Sequence, residues 1–455
     1  MHTAFIGDTG FGKTVAAERL CLETATRWGH RNVVLDFGAG WRRLFHAPLD
    51  RRRVDVWQLY PGAVRPLRWN PLQIGRRIAP DQQLRATSEL FANAGQMGPR
   101  QLGLMRRALR ELYVAHGVLT TDRAVLHHPH WGRVQPGEEE AINAWREARG
   151  LTLRSIPANM ALLSGLDSVD RQALAVHRSR QVDVSDWYAL LDGYRALYEK
   201  KRDAPSLASL EGVLLRLDVF AHGEMALMYG KGDDTLAIED LGLLGPPGNC
   251  WGIAILEGGA EMDEYAKATL LGLIAWHVYH DAVVRRREAV SDGRPLPSMN
   301  IFWEEANKVL GGVAGASAAD DPGSRAQTTA LFQQMWRDGR KYGVFNHLLL
   351  QTVSDVAAGI FSSCNNLFLY QTKAIRDRDM VLAALAKSEK GFTDEEYKRF
   401  VSRMPRAMAI CKLGYGWETY ELDAMLTRPR MVTGGEPSDA ELLAWYTDPR
   451  NGRRP

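Results

Sequence analysis

Read for hydrophobic and polar positions alone, the chain places short apolar runs at both ends and a long helical stretch between them. Ala4-Phe5-Ile6, Asn32–Asp36 and Val54–Leu59 are compact apolar runs, and Val15–Arg27 carries helical periodicity between the first two. Run, helix and run at this spacing predict a parallel sheet built from βαβ units and covered by helices. Leu67–Leu72 is expected to close that first sheet segment. From about Gly75 to Gly230 the period changes: 80–117, 138–149, 168–200 and 205–229 repeat at helical spacing with few β-branched alternations. Strand patterns return at Asn249–Leu256, Met299–Trp303 and Val344–Leu350, and a turn and strand follow within Ile360–Tyr370. Helices are predicted over Asp263 to about Glu288, Thr328–Asp338, Asp377–Lys387 and Thr393–Ser402. Residues 407–422 read as a hairpin turning at Gly414-Tyr415-Gly416, and the Pro/Gly/Arg-rich segment after Thr427 as extended. The fold class is therefore α/β. Residues 1–75 and 236–427 form a discontinuous core with a mostly parallel sheet, 76–235 an inserted α-helical subdomain, and 428–455 a C-terminal tail.

Composition narrows this picture only slightly. A chain of 455 residues with 45% hydrophobic and 24% charged content is ordinary for a globular protein of about two domains. The net charge of +3, from 57 basic and 54 acidic residues, neither demands nor excludes nucleic acid, because a local patch decides that. Cys21, Cys250, Cys364 and Cys411 lie far apart with no C-x-x-C pair, which suits a reducing compartment. With the first strand starting at the initiator Met, no leader peptide is expected, and the longest apolar stretch, Ala268–Tyr279, is too short to span a bilayer. A cytoplasmic protein without a membrane segment is expected. His127-His128-Pro129-His130 lacks the carboxylate or thiol pattern of a metal site.

Chemistry enters at Gly7-Asp8-Thr9-Gly10-Phe11-Gly12-Lys13-Thr14, which matches G-x-x-x-x-G-K-[ST] between a strand-like and a helix-like run. Glycines let the backbone wrap phosphates so that several N–H groups and a helix N-terminus face one anion. Lys13 can then reach the β/γ-phosphates, and the Thr14 hydroxyl can ligate Mg²⁺; ATP and Mg²⁺ are the expected cofactors. Met299–Trp303 runs into Glu304 and Glu305, where such an ATPase places a metal-organising carboxylate and the base that polarises the attacking water. Adjacent strand residues face opposite ways, so the strand end must bend for both acids to serve. Gln351 ends the Val344–Leu350 run, in place to sense the γ-phosphate, and Arg337 and Arg340 precede that run as candidates to reach a neighbouring subunit's nucleotide. Arg285, Arg286, Arg287 and Arg294, in 285–294, and the Gly/Ala-rich 311–326 are candidate DNA-contacting loops.

Together GDTGFGKT (7–14), FWEEAN (302–307), GRKYGV (339–344), LLLQTVSD (348–355) and IFSSCNN (360–366) resemble the HerA/FtsK superfamily of ring-shaped P-loop ATPases, its HerA branch most of all. The Asn70-Pro71-Leu72 element and the helical insert resemble the conjugation-system ATPases of that superfamily. The resemblance implies a RecA-like P-loop NTPase core, a homohexamer, ATP hydrolysis between subunits, and double-stranded DNA pumped through the pore. It gives Lys13 and Thr14 the phosphate and Mg²⁺, Glu304 the metal-organising role, Glu305 that of base, Gln351 that of sensor, and Arg337 or Arg340 the finger in trans. Two other functions fit the same motifs: energising conjugation or secretion machinery, and an ATP-assembled ring that activates a partner effector in phage defence. Asn307 stands where the branch usually has His, and Thr352-Val353-Ser354 where Arg-Pro-Ser is usual. The branch's N-terminal β-barrel, implicated in docking a partner, is expected to be absent, because the P-loop strand opens this sequence, and that puts a nuclease partner in doubt.

Overall fold

A computed structural model describes the chain except residues 233–235, 245–250, 261, 295–296, 311–322, 355, 357, 385–392, 415–424, 429–430, 433–434 and 452–455. The described residues divide into two compact units, Met1–Leu67 with Asp240–Pro455, and Arg68–Glu239.

The first unit is built on one nine-stranded sheet. Its strands are β1 (Thr3–Ile6), β2 (Arg31–Asp36), β3 (Val54–Gln58), β4 (Ile253–Glu257), β5 (Met299–Trp303), β6 (Val344–Leu350), β7 (Asn366–Leu369), β8 (Ala409–Lys412) and β9 (Met425–Thr427). Their spatial order is β3-β4-β2-β5-β6-β1-β7-β8-β9. All pairs among the first seven are parallel, and β8 and β9 add antiparallel edges. Parallel strands covered on both faces must be apolar on both, and β1, β2, β4 and β5 are buried at every position. The covering helices include Lys13–Trp28 and Glu264–Ser291. The second is about 42 Å long at 1.5 Å per residue and is buried over most of its circumference, so it shows no polar face until its last turns.

Under this sheet runs a polar ladder. His2 faces the Trp336 carbonyl at 2.7 Å and accepts from the Asn346 N–H; His347 meets Asn300, and Asn300 donates to Asn32. Burial keeps these rings neutral, holding His2 down at about 4. His277, in the Glu264–Ser291 helix, is held down at about 3 by burial alone. A histidine depressed in the folded state takes up protons on unfolding, so its contribution is intact above pH 6.5 and is lost as pH falls towards 3. His277→Gln should therefore flatten the pH dependence of stability. The wild-type advantage measured by urea unfolding is expected to shrink by about 2 kcal/mol between pH 6.5 and pH 5.

The second unit is helical, with Pro80–Ala94, Pro99–Ala115, Glu138–Glu147, Ser168–Ser179, Val184–Lys201 and Ala204–Ala221 as its longest elements. Three of these start at Asp167, Asp183 and Asp203, whose carboxylates accept the orphan N–H groups of the first turn. Trp187 fills the centre against Phe91, with its indole N–H on the Met105 carbonyl. His128 accepts backbone N–H groups from His130 and Trp131, so this histidine shapes a turn rather than offering a metal ligand.

Several boundaries differ from the sequence reading. Leu67–Leu72 adds no strand; Asn70 donates to the Val182 carbonyl and Tyr113 to that of Leu72, so the Asn-Pro-Leu element packs within the helical unit. The helix expected from Thr328 begins at Gly323. The expected hairpin turn at 414–416 lies largely outside the described residues, and the strand pairing with β8 is β9, further along. The segment expected to be extended after Thr427 contains a helix, Asp439–Thr447, capped by Ser438 and Glu441. It docks because Tyr446 bonds the Val56 N–H and stacks under Arg65, which also covers Trp57 and pairs with Asp55. No helix among the described residues is long and apolar enough to cross a membrane.

Candidate nucleotide site

The parallel strands end together on one edge of the sheet, and the site is assembled there. β1 lies between β6 and β7, so the loop after Ile6 leaves the middle of the sheet, with the Gly7 N–H still bonded to Leu350 of β6. Gly7 cannot be another residue: its φ is +151°, and a Cβ would stand 2.6 Å from that of Tyr370. Gly12 adopts φ +105° with Ala407 against it, and the Lys13–Trp28 helix starts immediately after, aiming its first N–H groups into the loop. Lys13 Nζ donates to the carbonyls of Gly7 at 2.6 Å and Asp8 at 3.0 Å. Burial lowers its pKa, and the carboxylates of Glu304, Asp8 and Glu305 oppose that shift.

β5 supplies the acids. Leu35 of β2 is in register with Trp303, so Asp36 and Glu304 emerge side by side, and the Glu304 N–H still bonds the Leu35 carbonyl. Glu304 accepts from the Thr14 hydroxyl at 3.1 Å and from the Trp41 indole at 2.5 Å. Asp36 is fully buried and accepts from the N–H groups of Gly38 and Trp41. Burial, and then the neighbouring Glu304, drive the Asp36 carboxyl well above the usual range, while burial raises Glu304 too. The bend that the acid pair demanded is present. Glu305 has φ +46°, a left-handed conformation costing about 1–2 kcal/mol for a residue with a Cβ. It turns the carboxylate to the same side as Glu304, where Lys308 pairs with it at 2.6 Å.

Between the P-loop and the acid pair lies a cavity of about 320 Å³. Of the residues singled out in the sequence, it brings together Thr9, Gly10, Gly12, Lys13, Thr14, Glu304, Glu305 and Gln351. Gly7, Asp8 and Phe11 complete the loop without lining the cavity. Gln351 follows the end of β6, and the chain beyond it is pinned by Asp377, whose carboxylate accepts from the Val353 and Ser354 N–H groups. The usual Arg-Pro-Ser is thus replaced by a turn fixed from outside. The cavity also contains Arg43, and Trp41 touches Glu304; neither carries a motif.

A Mg²⁺ ion fits this donor set: Thr14 and Glu304 present hard oxygens 3.1 Å apart. No group of three His, Cys, Asp or Glu among the described residues is disposed to hold a metal. A cation here would need nucleotide phosphates to complete its shell, as Mg²⁺ ordinarily does.

Arg337 and Arg340 lie before the start of β6, at the opposite edge of the sheet, and do not reach the cavity of their own chain. Arg340 is instead near the Met1 amine, whose pKa is drawn down to about 6 by burial and by that charge. Arg285, Arg286 and Arg287 are on the last turns of the Glu264–Ser291 helix rather than in a loop. Arg285 bridges Asp281 and Asp240, Arg286 donates to the Pro297 carbonyl, and Arg287 lies against Tyr342. Arg294 pairs with Asp292 in the following turn. Residues 311–322 of the second candidate loop lie outside the described residues.

A mostly parallel sheet with a P-loop motif after its central strand β1, and an acid pair after β5 one strand removed from it, defines a RecA-like P-loop NTPase fold. Solved structures agree. The bacterial conjugative coupling protein TrwB, lacking its first 70 residues, superposes with a TM-score of 0.53 at 14% identity, over 96% of this chain and 87% of that one. Its form in complex with sulphate gives 0.54 at 15% identity, over 97% and 88%. VirB4 of Thermoanaerobacter pseudethanolicus gives 0.54 at 12% identity, over 97% and 91%. No family model and no curated protein matches the sequence. The fold is thus shared, along nearly the whole chain, with a conjugative coupling protein and with VirB4.

Proposed function

We propose that this chain is an ATP-hydrolysing motor that assembles as a ring, a hexamer by the HerA/FtsK resemblance, and moves double-stranded DNA. The observation that carries the hydrolytic part is the single cavity holding Lys13, Thr14, Glu304, Glu305 and Gln351. Lys13 and the loop N–H groups bind phosphate, and Thr14 with Glu304 hold Mg²⁺, which neutralises the phosphate charge when bound. Glu305 takes the proton of the attacking water, and Gln351 orients that water against the terminal phosphate. Arg337 and Arg340 stand too far from their own site to serve it, so their use is in trans, on the nucleotide of an adjacent subunit. Arg286, Arg287 and Arg294 are the proposed phosphate-backbone contacts; Arg285, between two carboxylates, is the least available.

A second reading keeps the same chemistry and changes the setting. The overlap with the conjugative coupling protein and with VirB4 runs along nearly the whole chain. That supports an ATPase energising a conjugation or secretion machine, with the helical unit as the part that meets protein partners.

Steady-state ATPase activity with and without linear double-stranded DNA tests the first reading. Stimulation that falls steeply between about 50 and 200 mM salt is expected of a protein neutralising several phosphates. Activity indifferent to DNA at low salt would move the weight to the second reading.

A further inference from the structure

Part of the wall of the nucleotide cavity is an arginine that no motif announces. Asp36 fastens the loop after β2 by accepting from Gly38 and Trp41, and the buried Trp41 anchors it on Glu304. The short helical turn Arg42–His46 therefore begins at a fixed point, and its second residue, Arg43, lines the cavity beside Lys13 and Thr14. One edge of its guanidinium is tied back. Nε faces Glu18 at 3.2 Å and Glu436 at 3.6 Å. Glu18 is 1% exposed and stands one turn beyond Thr14 on the P-loop helix. Burial pushes the Glu18 carboxyl up to about 7, and the Arg43 guanidinium beside it opposes that rise. The rest of the guanidinium has, among the described residues, a single 3.5 Å contact with the Gly40 carbonyl. A guanidinium held along one edge offers its remaining N–H groups as a preoriented donor to an anion.

Position selects the anion. The loop N–H groups and the helix N-terminus take the inner phosphates. Arg43 enters from the β2–β5 side, the side of Glu304 and Glu305, where the terminal phosphate must lie for water to attack it. We infer that Arg43 is a ligand, from within the same chain, for the terminal phosphate of a bound nucleoside triphosphate. The site would then distinguish triphosphate from diphosphate before any neighbouring subunit contributes. This inference rests on the nucleotide reading above.

The test compares affinities for AMPPNP and ADP, each with Mg²⁺, by calorimetry on the full chain, for wild type, Lys13→Ala, Arg43→Ala and Arg43→Lys. Arg43→Ala should weaken AMPPNP binding 10- to 100-fold and ADP binding less than 3-fold, with Arg43→Lys in between. Equal losses for both nucleotides, or no loss for either, would overturn the inference, since a merely structural arginine has no reason to sense one phosphate. Because Arg43→Ala orphans Glu18, the double variant with Glu18→Gln carries the same comparison if the single one does not fold. A wild-type chain that binds neither nucleotide would instead refute the nucleotide reading itself.

Discussion

Lys13→Ala is expected to reduce ATPase activity by at least 10²–10³-fold and to remove the stabilisation that Mg-ATP gives the wild type against heat. The expectation follows from what Lys13 does without nucleotide. Its ammonium lies 2.6 and 3.0 Å from the carbonyls of Gly7 and Asp8, folded into the loop that phosphate oxygens would occupy. Phosphate therefore exchanges these neutral acceptors for charged ones in a partly desolvated cavity, where such contacts are strongest. With alanine, the loop N–H groups remain but the ammonium that would meet the phosphates from within the loop is lost. That loss acts on nucleotide and not on the core, since Lys13 belongs to no buried cluster. The melting temperature without nucleotide should stay within a few degrees of wild type. A variant that keeps its nucleotide-induced shift would remove the P-loop from the reaction. One that melts early without nucleotide would make the lysine structural.

The parts of this site that were legible in the sequence are those whose chemistry is local. A P-loop is eight consecutive residues, and its strand, glycines and helix are all encoded within the first 28. Glu304-Glu305 and Gln351 were legible because each closes an apolar run, and a parallel sheet gathers strand ends on one edge. Trp41 and Arg43 were hidden for the opposite reason. Trp41 meets Glu304 across 263 positions only because β2 and β5 are neighbours, and strand order is not written in either strand. The bend at the acid pair was required by the chemistry, but it occurs at Glu305, with no glycine to mark it. The Asp439–Thr447 helix did have a signal, the Ser438-to-Glu441 capping box, masked by the proline, glycine and arginine around it. That helix bears on the site, because Asp439 pairs with Arg42 and Glu436 with Arg43. The end of the chain thus braces the turn that carries one wall of the cavity.

Glu305→Gln is the second large effect expected, and it should separate steps that Lys13→Ala merges. Glutamine keeps the shape of the side chain and still offers Lys308 a carbonyl oxygen, but it cannot accept the proton of the attacking water. Hydrolysis should fall about 10²–10⁴-fold, the usual worth of a positioned general base. Nucleotide affinity, the Thr14–Glu304 contact and Gln351 should be untouched, so the variant should bind Mg-ATP as the wild type does and retain it. A variant keeping more than about a tenth of the activity would exclude Glu305 as the base. The same protein distinguishes work from assembly: a motor needs turnover and would lose its function, whereas a ring that only presents an effector would keep it. The backbone supplies an independent check. Holding a non-glycine residue at φ +46° costs about 1–2 kcal/mol, so Glu305→Gly, which also deletes the carboxylate, should be inactive yet no less stable than wild type. Loss of activity without loss of stability at this position would mean that the fold bears the strain to bring both acids to one cavity.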